Sequence, residues 1–234
     1  MKGFFRLTLI VFGFFILTAC MYPNEKRQQL SEVPTHVARV QAQSEQYLQQ
    51  NKTLPYKYTA DDRKFTSRYL VDFKLLPEIP MTAYEKGGNF LYVYVGAEGK
   101  QPLVRLFDLR VNNEVEKVQL AVNHYKSKHK SLPTKEKTQT QDGYFDVDLE
   151  KLQLSDIHIP SPYFSDARLP ILMDKDGRIY LDYRGDVTRL IQTAKQKPNG
   201  QEDLRPFLAK NSIFVSAFSP PMELGKQGEI LFSS

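Results

Sequence analysis

The sequence is poor in the residue types that most often carry chemistry. Its 234 residues include one cysteine, four histidines and no tryptophan. One cysteine excludes a disulfide within the chain and a zinc site built from several thiolates. There is also no glycine-rich phosphate loop, no His-Glu-x-x-His pair and no evident nucleophile motif. These absences predict a protein that is not an enzyme and that needs no cofactor or metal.

The single cysteine lies at an informative position near the start of the chain. Lys2 and Arg6 precede an apolar run at residues 7–17, and small residues follow before Cys20. This is the layout of an export signal, and the run is shorter than the roughly 20 apolar residues of a spanning helix. Residues 17–20, Leu-Thr-Ala-Cys, resemble the lipobox of bacterial lipoproteins. That resemblance implies cleavage before Cys20 and acyl chains, such as palmitate, at this cysteine. The alternative is an uncleaved signal anchor.

The remaining chain is predicted to be a body held on the extracytoplasmic face of the cell membrane by lipid at Cys20. Loss of residues 1–19 lowers the net charge from +5 to +3, because Lys2 and Arg6 are the only charges removed. A mild positive charge favours anionic lipid or wall polymer as a partner and gives no support to nucleic acid. Residues 20–34 are polar and predict an extended tether reaching about 45 Å.

An internal repeat follows the predicted tether. Apolar residues spaced as on one helix face over residues 37–48, followed by Leu54-Pro55, recur 78 residues later over 115–125, followed by Leu132-Pro133. The spacing predicts an amphipathic helix in each copy. Leu-Pro ends each helical region, because the residue before proline disfavours the helical conformation.

Capping and turn residues extend the repeat. Thr35 is the predicted N-cap of the first helix, and Asn113 that of the second. Asp72 and Asp148 are predicted to cap short helical turns that carry Leu76 and Leu152 inward. Each copy then ends in a predicted hairpin, at residues 81–95 with a turn at 85–88 and at residues 169–183 with a turn at 174–177. A further strand is expected at residues 103–109.

These elements predict an α+β fold made of two tandem related units, each with an amphipathic helix, a Leu-Pro turn, a short helical turn and a β-hairpin. Helical spacing from Asp186 and an Asp203-Leu204 pair predict a partial third copy. The alternative is two unrelated α+β segments that share turn chemistry. The predicted boundaries are a signal peptide at 1–19, a lipidated tether at 20–34, units at 35–110 and 111–190, and a partial unit with a tail at 191–234.

Lysines form the clearest charge feature. They are candidates for contact with an anionic surface, although a solvated helix face is the simpler interpretation. Alternating aromatic residues at 90–94 could line a groove, but core packing is more typical of such a strand. The lysines are Lys117, Lys126, Lys128, Lys130, Lys135 and Lys137.

Other candidate sites have simpler structural explanations. Residues 174–177, Asp-Lys-Asp-Gly, resemble a calcium-loop fragment, but the twelfth position is Gly185 instead of glutamate, so a hairpin turn is predicted. Asp146 and Asp148 share a face if extended, yet Asp148 already has a capping role. The histidines, His36, His124, His129 and His158, are predicted to be solvated.

The chain also resembles small uncharacterised lipoproteins of spore-forming Gram-positive bacteria, some loosely labelled as transporter binding proteins. The resemblance rests on the lipobox and the general layout and transfers no site residue. It implies a non-catalytic binding or assembly role at the cell envelope, with envelope proteins or wall polymer as partners. The alternative is a solute-binding lipoprotein that serves the permease of an ABC transporter. That class uses two α/β lobes with parallel sheets, whereas hairpins are predicted here.

Overall fold

The structure, a computed structural model, describes residues 22–58, 69–99, 101–139, 143–194, 197–198 and 202–233. The predicted signal peptide and Cys20 lie outside these residues. Four α-helices and twelve short strands are present in this part of the chain, and its strand pairs are antiparallel, which confirms the α+β class. Among the described helices, none has both the length and the hydropathy that crossing a bilayer requires.

The first unit is a long helix followed by a four-stranded sheet. Helix α1 spans Tyr22–Asn51. The strands lie in chain order across the sheet, and two 3₁₀ turns, Phe73–Leu75 and Tyr84–Lys86, connect the second strand to the third. The strands are β1 Tyr56–Tyr58, β2 Tyr69–Val71, β3 Phe90–Val95 and β4 Leu103–Asp108.

The second unit repeats this plan with one addition. Helix α2 spans Leu109–His129, and the sheet after it has the order β5-β6-β9-β10. Between β6 and β9 the chain forms a small separate hairpin of β7 and β8. The strands are β5 Thr134–Gln139, β6 Phe145–Val147, β7 Ile159–Pro160, β8 Arg168–Leu169, β9 Ile171–Met173 and β10 Ile179–Leu181.

The C-terminal part forms backbone hydrogen bonds with one edge strand of each sheet. It contains α3 Arg184–Thr193, α4 Arg205–Lys210, β11 Met222–Leu224 and β12 Ile230–Phe232. Between α4 and β11 the backbone bonds to both edge strands: Leu106 N donates to Ile213 O over 2.9 Å, and Leu181 N donates to Phe218 O over 3.0 Å. A sheet edge presents unpaired backbone groups, so this segment satisfies part of each edge. The predicted closing tail therefore contacts both sheets.

Two cores flank the first sheet. One lies between α1 and β3–β4, where Val40 is fully buried against the face that carries Tyr92 and Tyr94. Val93 and Phe107, on the opposite face, belong to a larger core with α2, the second sheet and the C-terminal part. Successive strand residues point to opposite faces, so β3 serves both cores, as its apolar sequence predicts.

The same glutamine contact joins each long helix to the fourth strand of its sheet. The side-chain oxygen accepts a strand N–H, and the amide nitrogen donates to a carbonyl two residues earlier. These contacts support the tandem duplication, which stays a prediction. They are Val104 N to Gln41 Oε1 at 2.6 Å, Gln41 Nε2 to Pro102 O at 3.0 Å, Ile179 N to Gln119 Oε1 at 2.9 Å and Gln119 Nε2 to Gly177 O at 2.9 Å.

Both predicted helix starts are wrong, while the predicted apolar stripes are confirmed. Helix α1 begins at Tyr22 and passes through Pro34, so Thr35 is no cap and most of the predicted tether is helical. Val33 is already buried, which shows that the packed stripe begins before the proline. For α2 the N-cap is Asp108, five residues before the predicted Asn113, and its carboxylate accepts from Arg110 N over 2.9 Å.

The two predicted hairpins have different outcomes. The second is confirmed, because β9 and β10 pair directly across the turn at residues 174–177. The first is wrong: residues 84–86 form a 3₁₀ turn that ends at Gly87 with φ of 80°. Strand β3 pairs instead with β2 on one side and, over its whole length, with β4 on the other. The hairpin of the first unit is therefore β3–β4.

Candidate functional site

A cleft of about 400 Å³ opens at one end of the second sheet. Here β5 and β9 begin and β6 and β10 end, because neighbouring strands are antiparallel. The β7–β8 hairpin forms one wall. Aliphatic side chains that are at most 8% exposed line the interior, namely Val147, Ile157, Ile159 and Leu169. The cleft therefore combines an apolar lining with a position fixed by the sheet.

Ionisable residues surround this apolar lining. Asp146 is half-buried on β6, whereas His158 and Arg168 are exposed on the β7–β8 wall. None of these three side chains has a hydrogen bond or an ion pair with any residue in the described part of the chain. Asp182 also borders the cleft, but it is paired with Arg184 at 2.7 Å. The cleft thus presents a carboxylate, an imidazole and a guanidinium that can meet a ligand.

The wall of the cleft is tied to helix α3. The Ser161 hydroxyl donates to the carboxylate of Asp186, at 3.0 Å from each oxygen, and accepts from Tyr163 N at 3.0 Å. Asp186 lies in the first turn of α3 and is 3% exposed. Burial raises the pKa of Asp186 to about 6, while the Ser161 hydrogen bond and the charge of Arg189 act in the opposite direction. The carboxylate is therefore held in an environment that disfavours its charge.

The aromatic residues of β3 are core residues with satisfied hydroxyls. Tyr94 OH lies 2.6 Å from Ser44 Oγ, whose own proton goes to Val40 O, so the tyrosine is the donor. Burial raises the pKa of Tyr94 to about 12. Tyr92 OH lies 2.7 Å from Thr82 Oγ1. These contacts confirm the prediction of core packing over a groove.

The prediction that all histidines are solvated is wrong for one of them. His36 on α1 is half-buried, and its Nδ1 lies 3.0 Å from Thr82 Oγ1. Thr82 belongs to the connection between β2 and β3, which packs against this side of α1. His124 and His129 are exposed on α2, where the His129 ring stacks on Tyr125 with centroids 4.3 Å apart. His158 is exposed, but it borders the cleft.

The structure separates the candidate lysines. Lys117 pairs with Glu114 at 2.8 Å, whereas Lys126 donates to Asp176 O over 2.8 Å. Nine helical residues correspond to about two and a half turns, so these two lysines lie on opposite sides of α2. Lys128 and Lys130 are exposed near the helix end. Lys135 borders the cleft, and the side chain of Lys137 is outside the described part.

The acidic candidates also take separate roles. Asp148 Oδ1 accepts from Lys151 N over 3.1 Å, which confirms a capping role, and this bond is the main cause that lowers the Asp148 pKa. Asp72 caps the first 3₁₀ turn in the same way through Lys74 N. Asp174 accepts from two backbone N–H groups of its own turn at 2.9 Å each, as expected of a hairpin turn. Of the candidate residues named from the sequence, Lys135, Asp146 and His158 border the cleft. Arg168 also borders it, but no local sequence pattern indicated this residue.

The first unit resembles a known protein family. Residues 33–108 match the YphF family N-terminal domain. The match begins at Val33, the first buried residue of α1, and ends at Asp108, the N-cap of α2. It therefore covers the packed part of the first unit, about a third of the chain, and fits a bacterial protein. No curated protein and no solved structure matches the chain. The second unit, with the cleft, lies outside the matched region.

Proposed function

We propose that this protein is a membrane-anchored extracytoplasmic lipoprotein whose body binds a ligand without catalysis. The observation that carries the binding role is the cleft of the second unit, with its aliphatic lining and three unpartnered ionisable side chains. Ligand sites are typically concave, mostly apolar and furnished with a few polar groups, at volumes of roughly 300–1,000 Å³. A cleft of about 400 Å³ is at the small end of that range.

The position of the lipobox supports the anchor. Cys20 precedes the first residue of α1 by two positions, and this helix continues without interruption into the first core. At about 1.5 Å per helical residue, Val33 lies within roughly 25 Å of the acylated residue. This distance is shorter than the reach of about 45 Å that a fully extended tether would have. Two or more acyl chains give the stable attachment that one chain lacks.

A solute-binding lipoprotein of an ABC transporter is the second candidate, favoured by the size of the cleft. Two features of the described residues favour the first candidate over it. The strand pairs are antiparallel, and the cleft lies within one unit instead of between two lobes. A role in envelope assembly, with an envelope protein or anionic wall polymer as the partner, fits the separate positions of the lysines less well than small-ligand binding.

The anchor is tested by changing the single cysteine. Cys20→Ala should abolish incorporation of labelled palmitate and leave the signal peptide uncleaved, because acylation at the cysteine precedes cleavage in this class. Thr18→Ala, which keeps a small residue before the cleavage position, is the matched control and should be labelled and membrane-bound. Labelled, mature Cys20→Ala protein would contradict the anchor. Recovery of a permease and its ATPase from cross-linked membranes would favour the transporter role.

A further inference from the structure

We infer that the cleft binds a small zwitterion, an amino acid or a dipeptide, with Arg168 receiving its carboxylate and Asp146 its ammonium group. The inference rests on the proposed binding function and adds the chemical class of the ligand. It comes from the unpaired charges of opposite sign that border one small cleft.

Arg168 is suited to the anionic end of such a ligand. It lies on β8 of the cleft wall, is exposed, and has no partner among the described residues. A guanidinium presents donors in a planar fork that matches a carboxylate, often with two parallel hydrogen bonds. An arginine fixed on a paired strand is also better oriented than one on a free loop.

Asp146 is suited to the cationic end. Its strand is central in the second sheet, paired with β5 on one side and β9 on the other. The nearby carboxylates already have partners, since Asp182 pairs with Arg184 and Asp148 caps a turn. Asp146 is half-buried without such a partner, so an ammonium group would restore the hydrogen bonds that its burial reduces.

The remaining lining of the cleft restricts the part of the ligand that lies between its ammonium and carboxylate groups. The interior carries buried aliphatic side chains, including Ile159 and Leu169, which favour a small apolar side chain on the ligand. His158 adds a ring nitrogen for one further hydrogen bond. Because both signs of charge border the cleft, a polyanion such as wall polymer meets repulsion from Asp146. A small zwitterion matches both signs at once.

The first unit provides an internal comparison. Tyr56 pairs with Val71 as Thr134 pairs with Val147, so Leu70 takes the position of Asp146 in the equivalent register. The connection from β2 to β3 contains 3₁₀ turns and no counterpart of the β7–β8 hairpin. The charged pair is therefore specific to the second unit.

Calorimetric titration of the mature, lipidated protein in detergent tests the ligand class. The probes are dialanine, N-acetylalanine, which lacks the ammonium group, and dialaninamide, which lacks the carboxylate. Dialanine should bind, and each analogue should bind at least about tenfold more weakly, because it leaves one charged residue unpaired.

Variants assign the two ends of the ligand. Arg168→Gln and Asp146→Asn should each weaken dialanine binding at least about tenfold, and Asp146→Asn should also remove the preference for dialanine over N-acetylalanine. Arg178→Gln and Asp176→Asn change the same residue types at the opposite end of the sheet and should leave binding unchanged. Thermal melting of each variant separates loss of binding from loss of folding.

The outcomes separate this inference from the anchor proposal. Absence of dialanine binding, equal binding of all three probes, or loss of binding in both control variants would overturn the zwitterion site. A palmitate-labelled protein that fails to bind dialanine keeps the anchor and loses the inference. Dialanine binding that depends on Arg168 and Asp146 in a protein without lipid keeps the inference and overturns the anchor.

Discussion

The two units differ in the chain between their second and third strands much more than in their sheets. In the first unit, residues 72–89 form two 3₁₀ turns against α1. In the second, residues 148–170 form a separate hairpin that is fixed to α3 and walls a cleft. A sheet of fixed strand order tolerates a longer surface connection at small entropic cost. The comparison indicates that the scaffold is shared and that the connection determines where a ligand site can form.

The shared scaffold extends to backbone contacts. Asp72 N donates to Pro55 O over 2.8 Å, and Asp148 N donates to Pro133 O over the same distance. Each contact closes the first strand pair next to a Leu-Pro turn. Both cores contain a buried tyrosine with a bonded hydroxyl: Tyr94 lies 2.6 Å from Ser44 Oγ in the first, and Tyr183 donates to Ala217 O over 3.1 Å in the larger one.

The largest effect is expected from a substitution in the larger core, which also tests whether the two units unfold together. Leu181→Ala, at a fully buried residue of β10, should destabilise the protein by about 2–5 kcal/mol through lost burial and a residual cavity. Because residues 213–218 bond to both edge strands and the larger core includes both sheets, we expect one unfolding transition at a lower denaturant concentration. Circular dichroism and tyrosine fluorescence during denaturant unfolding measure this.

The control for this change is Leu120→Ala on the exposed face of α2. Leu120 is 69% exposed, so its truncation should change the free energy of unfolding by less than about 0.5 kcal/mol. Two separate transitions in Leu181→Ala, with the one assigned to the first unit unchanged, would show that the units fold independently.

Periodicity in the sequence predicts the long helices and the strand with two apolar faces, because burial follows the spacing of apolar residues. Helix ends are less predictable. Asp108 caps α2 instead of Asn113, and the local pattern at this cap is an aspartate two residues before an arginine. The same pattern recurs before α3 and α4, where Arg184 N donates to Asp182 and Arg205 N to Asp203.

The cleft depends on contacts that are distant in sequence, so local patterns do not reveal it. Asp146 and Arg168 are brought to one end of the sheet by pairing of β6 with β9 and by the intervening hairpin. The hairpin predicted at residues 81–95 is wrong for the same reason, because a glycine-rich turn before β3 does not determine which strand pairs with β3. Strand partners are selected by the whole sheet, and no local propensity encodes that choice.

A smaller effect is expected from substitution of Asp186, whose buried carboxylate is bonded to Ser161 on the wall of the cleft. Its folded pKa of about 6 lies above the value of an unfolded aspartate, so the folded protein retains this proton to higher pH. The stability that this provides is full below about pH 4 and is lost as the pH rises through 6. Asp186→Asn should therefore be more stable than the natural protein at pH 7.5, by about 2–3 kcal/mol, and similar at pH 4.

Urea unfolding of both proteins at several pH values measures this difference. Asp166→Asn, at an exposed carboxylate that pairs with Arg189, is the control and should show no such gain at pH 7.5. A loss of stability in Asp186→Asn that is independent of pH would show that the hydrogen bond with Ser161 outweighs the burial of charge.

The smallest of these effects is expected from removing the glutamine contact in each unit. Gln41→Ala and Gln119→Ala each remove two hydrogen bonds to a strand backbone and should each cost about 2 kcal/mol. Gln50→Ala, at an exposed position of α1, should cost less than about 0.5 kcal/mol. If chemical unfolding shows the same loss of unfolding free energy for both variants, the glutamine contact stabilises the two units equally. A much larger cost for Gln119→Ala would indicate that the second sheet, which also carries the cleft, depends more strongly on its helix.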